Sequence, residues 1–206
     1  MANDPLELSV ELLMEYFSSL IPLNREEKNL VLSSFHPRLY RKKQYLLQEG
    51  DVCTQLFFVV RGCIRMYKID DKGTIHIIQF AAENNWMNDL GSFHQVQPSA
   101  LSIDALEDTV VLQINRDQLI NLYMQAPKFD RIFRVLLENS YVRLQSRLLQ
   151  NISSTAEDRY NTFLNLYPDL VNRISQIQIA AFLGITPEFL SKLRNRKSNS
   201  NLNDNS

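Results

Sequence analysis

The sequence predicts an α+β protein, with a small antiparallel β barrel or sandwich first and helices after it. Three observations predict this. β-branched and aromatic runs of strand length lie between residues 56 and 114, a long apolar helical stretch follows Pro127, and two short helical stretches flank Gly184. Short strands at near-regular spacing, with turn residues between them, are the pattern of an antiparallel barrel or sandwich. The 206 residues, 45% hydrophobic and 22% charged, suit a chain with a sizeable core in one large domain or two small ones.

Each element has its own signal. Leu6, Val10, Leu13 and Phe17 recur at helical spacing, as do Leu30 and Ser34 after the Pro22 break, so residues 6–35 read as helical. From about residue 37 to 115 the pattern is strand and turn: LFFVVRG (56–62), CIRMYKI (63–69), IHIIQFA (75–81), ALSIDAL (100–106) and TVVLQI (109–114). Between them stand Glu49-Gly50-Asp51, Gly62, Asp70-Asp71-Lys72-Gly73 and Glu107-Asp108, which carry turn chemistry. After Asn115 the chain is helical again. Pro127 suits a first helical turn, and a long helix then runs to about Gln150 with Phe129, Ile132, Phe133, Leu136, Leu137, Leu144 and Leu148. That is more apolar surface than a helix bordering a small barrel needs. Two readings stand: core packing alone, or a helix burying one side on its own domain and the other on a second subunit.

These signals divide the chain at 1–126, 127–150 and 151–198. In the last part Ser153, Ser154 or Thr155 offers an N-cap, and the helix it starts ends before Pro168. The tail, 199–206, is polar and low in complexity and reads as disordered.

Composition narrows the function. A net charge of -1 excludes a globally basic nucleic-acid binder, so such binding has to come from a local patch. No apolar run reaches the ~18 residues of a membrane span. The N-terminal stretch carries Asp4, Glu7, Glu11 and Glu15 and no basic n-region, so the expectation is a cytoplasmic protein without a membrane partner. Cys53 and Cys63 lack metal-type spacing, and His36, His76 and His94 show no HxH or HxxxH pattern, so no metal site is expected. No G-x-S-x-G, no phosphate-binding glycine loop and no local His–Cys or His–Asp pairing is present, and the chain is not expected to be an enzyme.

The most informative stretch is ISQIQIAAFLGITPEFLSKLRNRK (174–197). Ile179, Ala180, Phe182 and Leu183 suggest one helix, stopped by Gly184; Thr186 is a good N-cap for the next, with Pro187 at its first position. Phe189, Leu190 and Leu193 are expected inward, leaving Thr186, Glu188, Ser191, Lys192 and Arg196 on or near the outer face. Two helices joined by a glycine turn form the helix-turn-helix, whose second helix can lie in the DNA major groove. The stretch holds four basic side chains, Lys192, Arg194, Arg196 and Lys197, against one acidic, Glu188. A plain helical hairpin with a solvated basic edge shares this periodicity.

In this order the parts resemble the Crp/Fnr family of bacterial transcription regulators. The resemblance runs from about residue 25 to 197 and rests on two stretches. EGDVCTQLFFVVRGCIRMYKIDDKGTIHIIQF (49–80) is similar to the family's β-roll, with its Gly-Asp turn and Phe-x-Val-x-x-Gly strand end. IAAFLGITPEFLSKLRNRK (179–197) is similar to its recognition motif. The resemblance implies an antiparallel β-roll of the cyclic-nucleotide-binding kind, a dimerisation helix over 127–150 and a C-terminal helix-turn-helix domain. It implies a homodimer reading palindromic double-stranded DNA, with half-sites roughly 34 Å apart. It also admits RNA polymerase as a partner.

By that resemblance the base-reading positions are Pro187, Glu188 and Lys192. A glutamate accepts from cytosine, and a lysine donates to guanine or phosphate. Pro187 stands where better-known members carry an arginine and offers only an apolar contact. Thr186 and Ser191 share the outer face, while Arg194, Arg196 and Lys197 are expected to hold the DNA backbone. The wing hairpin of many relatives is shortened to YPDLVNR (167–173).

The stretch NDLGSFHQVQPSA (88–100) falls where cyclic-AMP-binding members keep their phosphate-binding cassette, a Gly-Glu pair for the ribose and an Arg-Ser pair for the cyclic phosphate. The matching positions here are Asn88-Asp89 and Pro98-Ser99, and the dimer helix presents Leu144 and Gln145 toward the base position. The arginine is absent, and a guanidinium–phosphate pair is the strongest contact such a pocket makes. Unless Arg61, Arg65 or Arg143 takes its place, cyclic AMP is not expected as effector, and no cofactor is expected. The competing reading is a ligand sensor or interaction module whose terminal hairpin does not bind DNA.

Overall fold

A computed structural model describes the backbone of residues 5–203 and the side chains of residues 9–195. Two helices open the chain, α1 (Pro5–Leu20) and α2 (Arg25–Ser34). α1 buries Val10, Leu13 and Phe17, the helically spaced set. Asn24 starts α2: its side chain accepts from the Glu27 amide at 2.9 Å, and the Glu27 carboxylate reaches back to the Asn24 amide at 2.7 Å. This reciprocal pair satisfies two amides that a helix start otherwise leaves open.

Eight strands follow: β1 (His36–Tyr40), β2 (Tyr45–Leu47), β3 (Gln55–Arg61), β4 (Ile64–Ile69), β5 (Ile75–Ala81), β6 (Trp86–Met87), β7 (Ser102–Ala105) and β8 (Thr109–Asn115). They form two four-stranded sheets, ordered β1-β8-β3-β6 and β2-β7-β4-β5. The pairings β1–β8, β3–β8, β3–β6, β2–β7 and β4–β7 are antiparallel. The antiparallel roll expected from the alternating runs is therefore present. Five strands coincide with the sequence expectation; β1, β2 and β6 do not. In β1 only Tyr40 is buried and Pro37 interrupts the pattern, while β6 is two residues long, too short to show a period.

Phe57, Ile64 and Ile103 are buried within the roll, while Phe58, on the other face of β3, meets Tyr16 and Trp86. Gly62, the glycine of the strand-end motif, has φ +104, and a side chain there would run into Thr109. Its amide is held by Glu83 at 2.8 Å. Outside the roll, Phe17 and Trp86 stack at 5.8 Å, and Phe35, Phe129 and Phe133 crowd the same ring set.

After the roll come α4 (Arg116–Gln125) and the long α5 (Lys128–Ser153), which begins directly after Pro127. Lys128 anchors the start of α5, donating to the Pro22 carbonyl at 2.9 Å and to Glu27 at 2.7 Å. Then follow α6 (Ala156–Leu166), capped by Thr155, α7 (Gln176–Leu183) and α8 (Pro187–Asn203). A six-residue helix within the roll, α3 (Leu90–Gln95), lies between β6 and β7. The tail read as disordered is corrected in part. The backbone of 199–203 continues α8, since no Gly or Pro interrupts it and extending a formed helix is far easier than starting one. Residues 204–206 lie outside the described residues.

Contacts divide the chain into two units, residues 1–68 with 79–140, and residues 69–78 with 141–206. The second unit has its own core of Tyr160, Phe163, Leu170, Ile174, Ile179, Ala180, Leu183, Leu190 and Leu193. No helix among the described residues is long and apolar enough to cross a membrane.

Candidate nucleic-acid interface and effector cassette

α7 and α8 are built as the sequence pattern expects. Ser175 caps α7 in a box with Gln178, and Gly184 ends it at φ 67, ψ 36. That left-handed conformation is open to glycine at no steric cost. The Ile185 amide then bonds the Ala180 carbonyl at 3.1 Å. Thr186 starts α8, its hydroxyl accepting from the Phe189 amide at 3.2 Å. Leu190 and Leu193 turn inward onto Ile179, Ala180 and Leu183, all buried.

The opposite face of α8 is open. Thr186, Pro187, Glu188, Ser191, Lys192 and Arg194 are all exposed. The Glu188 carboxyl is held below its ordinary pKa by its own backbone amide, the Thr186 hydroxyl and Lys192. The side chains of Arg196 and Lys197 lie outside the described residues, although their backbone belongs to α8. Phe189, expected inward, is 43% exposed. It lies about 100° from Leu190 but on the same side as Leu193, four residues on, so its ring sits at the edge of the core and is partly covered. Between α6 and α7 the chain makes turns, with Leu170 buried, and no strand follows β8 among the described residues.

Arg147 was not singled out by sequence. It donates to the Ile77 carbonyl at 2.9 Å and to the Phe182 carbonyl, in the last turn of α7, at 3.1 Å. Its guanidinium also lies 4.0 Å from the centre of the Phe182 ring. Burial lowers its pKa. The cation sits where a helix leaves its last carbonyls unpaired and its dipole is negative.

On α5, Leu137, Tyr141, Leu144, Leu148 and Ile152 are more than half exposed and form a stripe spaced four, three, four and four residues apart. The first four follow the a/d rhythm of a two-helix seam, and Ile152 lies one turn beyond them. Leu144 and Gln145, assigned by resemblance to an effector pocket, are both exposed on this helix.

The cassette is closed on itself. Asp89 caps α3, accepting from Gly91 and Ser92 amides at 3.1 and 3.2 Å. Its second oxygen accepts from the Ser99 hydroxyl at 2.6 Å. Ser99 is buried and also bonds Leu101. Ser92 receives the Cys53 amide at 2.8 Å, and Val52 bridges to Pro98. Thus the two cassette groups kept from the family pattern, a carboxylate and a hydroxyl, satisfy each other. Asn88 leaves its Nδ2 buried without a partner among the described residues, and Pro98 is exposed.

Among the described arginines of the roll, Arg65 has a partner of its own. Arg65 is locked in a two-pronged bond to Asp104 at 2.7 and 2.9 Å, its cross-strand neighbour, and stacks on Tyr67. Burial works against its charge, but Asp104 outweighs that and its pKa is raised. Arg61 is exposed at the last position of β3, a strand length of roughly 20 Å from the end where Val52 and Cys53 meet the cassette. Arg143 is exposed on α5. A cavity of about 380 Å³ is lined by Val52, Cys53, Leu46, Leu47 and Phe57, and its charged side chain is Asp51. Cys53 and Cys63 are buried thiols, and burial pushes that of Cys53 up.

With this geometry in view, residues 37–126 match the model of the cyclic nucleotide-binding domain. The transcriptional activator protein Anr of Pseudomonas aeruginosa is 27% identical over 170 residues, spanning 77% of this chain and 69% of the relative. The cAMP-activated global transcriptional regulator CRP of Salmonella typhimurium is 22% identical over 145 residues, spanning 70% and 62%. Among solved structures, FixK2 from Bradyrhizobium japonicum superposes with a TM-score of 0.70 at 20% identity, over 81% of this chain and 86% of that one. The c-di-GMP responsive regulator CLP of Xanthomonas campestris does so at 0.70 and 14% identity, over 87% and 94%.

Proposed function

We propose that this chain is a transcription regulator of the Crp/Fnr kind, as its likeness to Anr and to the anaerobic regulatory protein of Aggregatibacter actinomycetemcomitans supports, and that it binds double-stranded DNA sequence-specifically through the open face of α8. The observation that carries the proposal is that face itself. Thr186, Pro187, Glu188, Ser191 and Lys192 are exposed together on a helix whose other side is pinned by buried Leu190 and Leu193. A hairpin serving only to pack has no need of such a set. Glu188 accepts from a cytosine amino group, Lys192 donates to guanine, and Arg194 lies on the flank of the helix to meet phosphate. Arg196 and Lys197 follow on the same helix and add to the backbone contacts.

The protein acts as a homodimer through the exposed stripe of α5. An aligned second copy covers five large apolar side chains that a single chain leaves in water. Two α8 helices then meet half-sites one turn of DNA apart, as a palindrome requires. RNA polymerase is the further partner such a regulator addresses.

Cyclic AMP is not the effector. A cyclic phosphate entering the cassette meets the Asp89 carboxylate already bonded to Ser99, with no cation at position 98 and Arg65 held by Asp104. An anion buried without a cation is costly.

The test is Lys192→Ala, measured by selection from a randomised duplex pool. Loss of about 1–3 kcal/mol at the preferred site, with relaxed preference at one base pair, supports the role of Lys192. Unchanged selectivity overturns it. Absence of affinity even at low salt favours the reading in which the hairpin does not bind DNA.

A further inference from the structure

We propose that Phe189 is a specificity-determining residue of the DNA interface, packing its ring on a thymine methyl group in each half-site. This rests on the DNA-reading role of α8 and deepens it. Phe189 is 43% exposed in the first turn of α8, directly between exposed Glu188 and buried Leu190. The first turn of a recognition helix is the part that comes nearest the base edges.

The ring stands at the edge of the core, beside Leu193, with 43% of its surface open. Leu190 at 0% and Leu193 at 6% exposure already close the contact with α7, and Phe163, Tyr167 and Phe182 form a separate ring cluster, with centroids 5.3 to 5.9 Å apart. The Phe189 amide is held by the Thr186 hydroxyl, so the backbone that carries the ring is fixed. Helical spacing places Lys192 three residues on, along the same edge of the open face. Phe189 and Lys192 thus present an apolar and a cationic group side by side, while Pro187 supplies a second apolar surface across the helix.

What such a surface recognises follows from base chemistry. In the major groove the only apolar group on any base edge is the thymine C5-methyl, and apolar side chains, phenylalanine among them, read it by contact. Lys192 beside it selects a guanine on the neighbouring pair. The half-site therefore contains a thymine adjacent to the position that Lys192 reads.

The experiment crosses a protein change with a DNA change. The full chain selects its site from a randomised duplex pool, and each thymine of the enriched half-site is replaced by deoxyuridine, which removes only the methyl. Binding is measured by fluorescence anisotropy for the wild type and for Phe189→Ala, with circular dichroism showing that the variant is folded. The expected result is a loss of about fourfold per half-site at one thymine for the wild type, the worth of one buried methyl group, and no loss at that thymine for Phe189→Ala. Phe189→Leu, which keeps an apolar side chain, retains part of the sensitivity. The proposal is overturned if deoxyuridine costs the two proteins the same, if it costs the wild type nothing, or if the enriched half-site contains no thymine. A pool that does not enrich at all overturns the DNA-reading function, and this role with it.

Discussion

Replacing Arg147 with methionine removes a cation but keeps the length of its stem, and the structure allows the cost to be worked out. The guanidinium serves the Ile77 and Phe182 carbonyls and the face of the Phe182 ring. A hydrogen bond to a charged group contributes about 1.5–3 kcal/mol, and a desolvated cation–π contact about 2 kcal/mol. Against this stands the penalty for burying the charge, several kcal/mol, whose presence is visible in the lowered Arg147 pKa. What decides the sign is the two carbonyls that methionine leaves unpaired, at about 1–3 kcal/mol each. The net expectation is a loss of about 2–3 kcal/mol, confined to the second unit. Urea unfolding reads it, with far-UV circular dichroism reporting all helices. Trp86, the single tryptophan, reports the first unit through its fluorescence. At a slope of about 1 kcal/mol per molar urea, an early dichroism phase moves down by about 2–3 M while the Trp86 transition stays in place. An unmoved dichroism curve, or a Trp86 transition that falls equally, refutes this reasoning.

Three other outcomes follow from the same structure. Leu148→Glu places a charge in the exposed stripe of α5, and sedimentation should show a monomer where the wild type is a dimer; an unchanged dimer rules out this seam. Calorimetric titration of the folded wild type with cyclic AMP should give no saturable heat, whereas micromolar binding would mean that Asp89 and Ser99 part and a cation enters. Glu27 has a lowered pKa: burial raises it, but the Lys128 ammonium and the Asn24 amide outweigh burial. A carboxylate depressed in the folded state stabilises fully above its unfolded value and loses that contribution as pH falls through the folded one. The stability advantage of the wild type over Glu27→Gln, about 1–2 kcal/mol near neutrality, should therefore fade as pH drops from neutrality to below the ordinary glutamate range. A constant advantage across that range contradicts the role of the pair.

Legibility in the sequence differed by element for physical reasons. The central strands were readable as β-branched and aromatic runs bounded by turn residues, although β3 and β7 are buried on both faces, and α7, its Gly184 stop and the Thr186-Pro187 start because capping chemistry is local. β1 and β6 were not, since one presents a single buried residue and the other has no length to carry a period. Phe189 was read as core because it lies on the Leu193 side of α8, yet at the edge of that face its ring stays 43% exposed. The missing cassette arginine was legible as Pro98. The bond that closes Asp89 on Ser99 was not, for it joins two loops ten residues apart whose approach is set by β3, β7 and α3. Arg147 escaped notice for the same reason, since its partners lie 35 and 70 residues away.

The most direct measurement is binding of the 206-residue chain to its pool-selected duplex over a series of salt concentrations, with stoichiometry from sedimentation. The expected result is two chains per palindromic duplex and a fall in affinity of about a thousandfold or more between 50 and 200 mM salt, as released counterions demand. One chain per duplex, or no affinity at the lowest salt, would contradict a dimeric regulator reading DNA through α8.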